Sequence, residues 1–258
     1  MKTRALDAAP AMCRVLLSAQ ITLCVASQMA QAQMCPGDTN LNGDVTIAEV
    51  QRSANSYLYG CSMEQPRFVD NGDGTISDFH TGLMWEKKVG FDEQPVFCSN
   101  SAECPDPHDA DNRYTWSTGE PYGPTGTAYT VFVPQLNGTC DGDSRIPCGM
   151  DGECEGIGNG RCGFGGHRDW RLPTREELLG IVDYAATISP VIDDVFNSAC
   201  TSSCTLSTCS CTLSNFYMTS STVEMGPGYA WIVNFFTGNL DALVKINNYC
   251  VRAVRTGL

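Results

Sequence analysis

The sequence predicts an α+β fold of twisted antiparallel sheets and short helices, carrying a disulfide-rich insertion and preceded by a small appendage. Three observations carry this prediction. The last third reads as strands, in "NFYMTSST" (215–222), "YAWIVNFFTGNLDALV" (229–244) and "YCVRAVR" (249–255). A capped helix start stands out in "DWRLPTREELLGIVDY" (169–184). Cysteines crowd the Gly- and Asp-rich stretch before this helix and the Ser/Thr-rich loop after it.

The N-terminus reads as an export signal. Lys2, Arg4 and Arg14 precede the apolar "VLLSAQITLCVAS" (15–27), and "AQA" (30–32) supplies a small-x-small cleavage pattern. The rival is a retained anchor, but the stretch is shorter than the ~18–20 apolar residues of a membrane span. Residues 1–32 are thus expected to leave, and the protein to be extracellular, surface-bound or periplasmic. Of fifteen cysteines, Cys13 and Cys24 go with the signal. The thirteen left suit an oxidising compartment, and an odd count leaves one thiol over. The region from Cys200 onward, with five of them, is its expected home.

Net charge sets a second bound. The chain carries −13, and loss of Lys2, Arg4, Arg14 and Asp7 takes it to −15. No basic run exceeds two residues, so nucleic acids, anionic lipid and sulfated polymers lack the cationic footprint they need.

Residues 33–62 read as a single EF-hand repeat. In "DTNLNGDVTIAE" (38–49), Asp38, Asn40 and Asn42 fill positions 1, 3 and 5, with Gly43 at the turn. Asp44 offers its carbonyl at 7, Thr46 stands at 9, and Glu49 brings a bidentate carboxylate at 12. Two side-chain carboxylates imply one weak, structural Ca²⁺, in the range of roughly 10⁻⁴–10⁻³ M. Cys35 and Cys61 bracket the unit, where a bond between them would staple a segment too small for its own core. The repeat resembles half of a type I dockerin. Dockerins carry two repeats, so cohesin is a poor candidate partner.

"DNGDGTISD" (70–78) fails the same test, because Val69 and His80 would occupy positions 1 and 12. It reads instead as strand, turn and strand, with Asn-Gly and Asp-Gly supplying positive φ. From Cys98 to Cys162, six cysteines punctuate a stretch that reads as a disulfide-stapled excursion rather than a zinc site, since Cys98, Cys104 and His108 lack paired knuckles. Within it "TAYTVFVPQLNG" (127–138) predicts a short helix limited by Pro134.

In 169–184, Thr174 caps a helix with Glu177 reaching back, Leu178, Ile181 and Val182 face a core, and Arg171 and Arg175 pair with carboxylates. In 249–255, Tyr249, Val251 and Ala253 alternate with Cys250, Arg252 and Val254, as in a half-buried strand. Trp85, Trp170 and Trp231 read as buried. Trp116 and Tyr122 lie in a Gly/Pro-rich loop and read as exposed aromatics for sugar stacking, with packing of Trp116 against the domain as the alternative.

Taken in order, "RFVDNGDGTISDFHTGLMWEKK", "TWSTGEPYGPTGTAYTVFVPQLNG", "DWRLPTREELLGIVDY", "YMTSST", "YAWIVNFFTGNL" and "YCVRAVRTG" resemble the Lcl C-terminal domain family over 66–258. That family is named for the last domain of a collagen-like bacterial adhesin. The resemblance implies a C-type-lectin-like fold whose terminal strands pair, placing "RFVDN" (67–71) beside "YCVRAVR". It also implies a non-catalytic binding or adhesion module, for a glycan or a surface protein. The adhesin is associated with sulfated glycosaminoglycans, for which this acidic chain shows no basic patch, and it has no Gly-X-Y tract. The alternatives are a structural envelope protein and, because "RLPTREEL" is similar to formylglycine-generating-enzyme-like domains, an oxidase. Such an oxidase needs a reactive cysteine pair, for which Cys209-Ser210-Cys211 is the nearest arrangement.

Overall fold

The Asn-Gly/Asp-Gly turn sets the first pairing. β1 (Phe68–Asp70) and β2 (Thr75–Asp78) run antiparallel, and Gly72 and Gly74 between them hold φ of +76° and +97°. Those angles are costly for any side chain bearing a Cβ, which is why glycine stands there. The computed structural model describes residues 66–90, 92 and 94–257. Arg67–Leu258 form one compact unit. The expected signal, Cys35, Cys61 and all six expected calcium ligands lie outside the described residues.

β3 (Leu83–Glu86) continues the meander, and β12 (Val254–Thr256) adds to its far side, giving the order β1-β2-β3-β12. The terminal strands therefore share a sheet but occupy its two edges, which corrects the expected direct pairing. β2 already fills the inner side of β1, whereas β3 offers an edge backed by the fully buried Trp85, opposite Val254.

A second meander, β8 (Phe216–Val223), β9 (Gly226–Asn234) and β10 (Asn239–Val244), lies where strands were expected. A third sheet joins β4 (Val96–Phe97), β5 (Asn112–Thr115) and β11 (Asn248–Tyr249). Helices are short. One π-helical turn, Ala128–Phe132, leads into α1 (Val133–Gly138), where Pro134 falls in the first turn and costs no hydrogen bond. α2 (Arg175–Leu179) opens on the capping box of Thr174 and Glu177. Arg171 grips the Glu177 carboxylate with two bonds of 2.7 Å, and Arg175 pairs with Glu176.

Segment 249–254 is buried on both faces, which corrects the half-buried strand. Tyr249, Val251 and Ala253 enter a core with Trp116, Phe132, Trp170 and Ile232. Cys250 and Val254 enter a second core with Trp85, Phe196, Tyr217 and Phe235. The alternation is real, but each face meets apolar residues, so the segment is a partition between two cores. Cys250 is the one free cysteine among the described residues, as its region predicted.

The insertion, with β6 (Thr139–Cys140) and β7 (Asp143–Pro147), buries little beyond its own cysteines, supported by Ile146 and Ile157. Bonds Cys140–Cys154 and Cys148–Cys162 hold it, each closing a loop of 14 residues. At about 3 kcal/mol for a loop of that length, the two staples replace the missing core. Cys98–Cys104 forms a third bond, so those sulfurs do not serve a zinc ion.

Candidate functional site

Glu86, at the end of β3, is fully buried beneath the segment 105–113. Its Oε1 lies 2.8 Å from His108 Nδ1 and 3.0 Å from Lys88 Nζ, and its Oε2 accepts the Ala253 N–H at 2.8 Å. Burial alone would raise the Glu86 carboxyl, but Lys88, His108 and Ala253 outweigh it and hold the group below its usual range. Lys88 also donates to the Pro107 carbonyl and sits 4.3 Å over the Phe132 ring. Arg252, also fully buried, donates to the carbonyls of Glu86 and Cys211 and to the Thr212 hydroxyl. This network anchors the segment 105–113 at Pro107 and His108, and the segment contributes to two separate concavities.

The first is a groove of about 700 Å³, lined by Phe97, Arg113, Pro190, Asn197, Asn215 and Asn248 among others. Phe97 is 60% exposed although β4 is held next to the Cys98–Cys104 bond. The side-chain oxygens of Asn197 and Asn215 are spent on the N–H groups of Thr212 and Phe216. Their amide NH₂ groups thus remain as donors. Arg113 is 7% exposed, and its Nη1 donates to the carbonyls of Ala110 and Asn112. No described carboxylate forms an ion pair with it, so a fixed positive fork stands in the wall. Beside it, burial raises the Asp111 carboxyl, the Asp92 N–H opposes this, and Asp109 adds to it. The groove combines an aromatic platform with an excess of donors.

The two aromatics singled out in the sequence do come together, but elsewhere. Trp116 is 5% exposed, which selects the packed alternative over the exposed one. Its Nε1 donates to the Thr219 carbonyl at 3.0 Å, and Lys245 Nζ stands 3.6 Å from its ring centre. That ammonium in turn donates to the Tyr122 carbonyl and the Thr222 hydroxyl. Lys245 thereby ties the partly exposed Tyr122, whose φ is +60°, to β8. Trp85 and Trp170 are buried as expected, while Trp231 is only half-buried and lies 5.5 Å from the Arg175 guanidinium. Phe97 escaped the sequence reading. Its signal was an apolar pair between Pro95 and Cys98 in a polar region, where an aromatic had no core of its own to join.

Cys209 and Cys211 are bonded to Cys204 and Cys200, respectively. Among the described residues, no helix is long and apolar enough to cross a membrane.

The ordered motifs lie along this framework as the resemblance places them, and the model of the Lcl C-terminal domain family matches residues 74–255, well over half of the chain. The chain belongs to the Lcl C-terminal domain family. The matched span runs from the β1–β2 turn to β12 and includes both cores and the insertion as well as the groove. No curated protein and no solved structure matches the chain.

Proposed function

We propose that this Lcl-family chain is an exported, non-catalytic binding module of C-type-lectin-like fold that takes a carbohydrate in the Phe97 groove. The observation that carries the reading is the exposed Phe97 ring beside the unspent NH₂ groups of Asn197 and Asn215. Sugar rings offer C–H faces for stacking on an aromatic and hydroxyl oxygens that accept from amide and guanidinium donors. The disulfide bonds support an oxidising, extracellular or surface location, and the bonded state of Cys209 and Cys211 favours binding over oxidase chemistry. In this reading the 38–49 loop carries one structural calcium ion.

A glycan array probed with the full chain, followed by titration of each hit against Phe97→Ala, tests the proposal. Phe97→Ala should keep the melting temperature and weaken the sugar about tenfold. An array with no hits from folded protein would favour a structural envelope role instead.

A further inference from the structure

A second concavity, of about 530 Å³, opens between the disulfide insertion and segment 105–108, and shares no lining residue with the Phe97 groove. Asp73, Asp106, His108, Gln135, Asp141 and Phe164 stand in its wall. The three carboxylates are engaged on one oxygen only. Asp73 Oδ1 accepts the N–H and hydroxyl of Thr75, Asp106 Oδ1 accepts His108 N–H, and Asp141 Oδ1 accepts Gly165 N–H. Among the described residues, none hydrogen-bonds the three Oδ2 atoms.

Two buried side chains stand beside these carboxylates. His108 is 8% exposed, its ring 4.2 Å from that of Phe164. Glu86 Oε1 lies 2.8 Å from His108 Nδ1, and no described residue bonds the Nε2 of that ring. Gln135 is 6% exposed and donates Nε2 to the Cys104 carbonyl, but its Oε1 has no partner. A buried acceptor without a donor destabilises the fold until something donates to it. Several side-chain donors of the same wall are meanwhile engaged. Arg145 is clamped on Asp143, Ser144 donates to the Pro105 carbonyl, and Thr139 to the Gln135 carbonyl. Burial raises the Asp141 carboxyl and Asp73 adds to this, while Gly165 N–H, His108 and Arg161 oppose it.

We propose that this cavity binds a protonated primary amine carried on a small polar body. An ammonium has three donors and no acceptor, the complement of a wall rich in carboxylate and amide acceptors. The Phe164 ring adds a face for the cation, and the net charge of −13 favours its approach. A bare metal ion fits less well. Among the described residues, only cysteines bring three such ligand atoms within 4.8 Å of one another, so the acceptors here are spread for a polyatomic guest. An amino sugar and a lysine side chain offer the same group, and the test separates them.

Calorimetric titration of the full chain at pH 6 with a glucosamine tetramer, its fully N-acetylated counterpart and trilysine decides the matter. The glucosamine tetramer or trilysine should bind, the tighter one naming the source, and the acetylated sugar should not bind at this site. Asp141→Asn and Asp106→Asn should each weaken the amine tenfold or more. Glu224→Gln, at an exposed acid outside the cavity, should leave it unchanged. If Asp141→Asn fails to fold, Asp106→Asn carries the decision. Absence of amine binding at millimolar concentration would overturn the proposal, as would binding that Glu224→Gln weakens as much as the cavity variants do.

Discussion

The carboxylate of Glu86 accepts the backbone N–H of Ala253 at 2.8 Å, so a charged side chain from the first sheet holds the segment that partitions the two cores. Neutralising it should be costly. Glu86→Gln leaves Lys88 as a buried ammonium with only the Pro107 carbonyl and the Phe132 ring. Urea unfolding should show a loss of about 3–5 kcal/mol, the usual cost of breaking a buried pair from one side. The double variant Glu86→Gln/Lys88→Met should recover part of that loss. An additive double variant would mean that the two charges are not coupled.

The same partition makes the C-terminus indispensable. Removing residues 249–258 takes Tyr249, Val251 and Ala253 from one core and Cys250 and Val254 from the other, and it bares the β3 edge. The truncated chain should fail to melt cooperatively. A soluble, cooperatively melting product would contradict the partition.

How much of this was legible depends on how local each feature is. The Asn-Gly/Asp-Gly hairpin and the Thr174–Glu177 capping box were readable because a few adjacent residues determine them. The partition was not. Alternation in 249–255 distinguishes two faces but does not say whether water or a second core covers either, and that depends on residues as distant as Trp85 and Trp170. Trp116 stayed open between exposed and packed for a related reason. Its loop composition suggested a wet surface, whereas Lys245, 129 positions later, covers the ring. Phe97 and the His108 cavity depend on disulfide pairing and on which oxygen of each side chain is spent, and neither is written in residue spacing.

Thiol chemistry offers an independent check. Burial pushes the Cys250 thiol up to about 11, so it is neither exposed nor ionised at neutral pH. An alkylating reagent should leave Cys250 unlabelled in the native protein and label it once urea is added, without reductant. Peptide mapping should find the ten other described cysteines in the five bonds Cys98–Cys104, Cys140–Cys154, Cys148–Cys162, Cys200–Cys211 and Cys204–Cys209. Rapid labelling of Cys250 in the native state would show that the second core opens.

Acid should act through the carboxylates whose folded pKa is depressed. At Asp78, burial raises the pKa, but the Arg67 guanidinium, bonded at 2.7 and 3.0 Å, together with Thr81 and His80 N–H, outweighs it. Below the ordinary carboxylate range of about 4, the unfolded chain takes up the proton that folded Asp78 still refuses. The stabilisation is therefore complete above that range and is lost as pH falls through the lower folded value. Glu86 and Glu177, also depressed, act in the same direction. Urea midpoints measured from pH 6 to pH 2.5 should drop below about pH 4. Asp78→Asn should start lower at pH 6 and show a shallower acid slope, because one linked proton has gone. An unchanged slope in Asp78→Asn would show that the Arg67 pair contributes nothing to acid sensitivity.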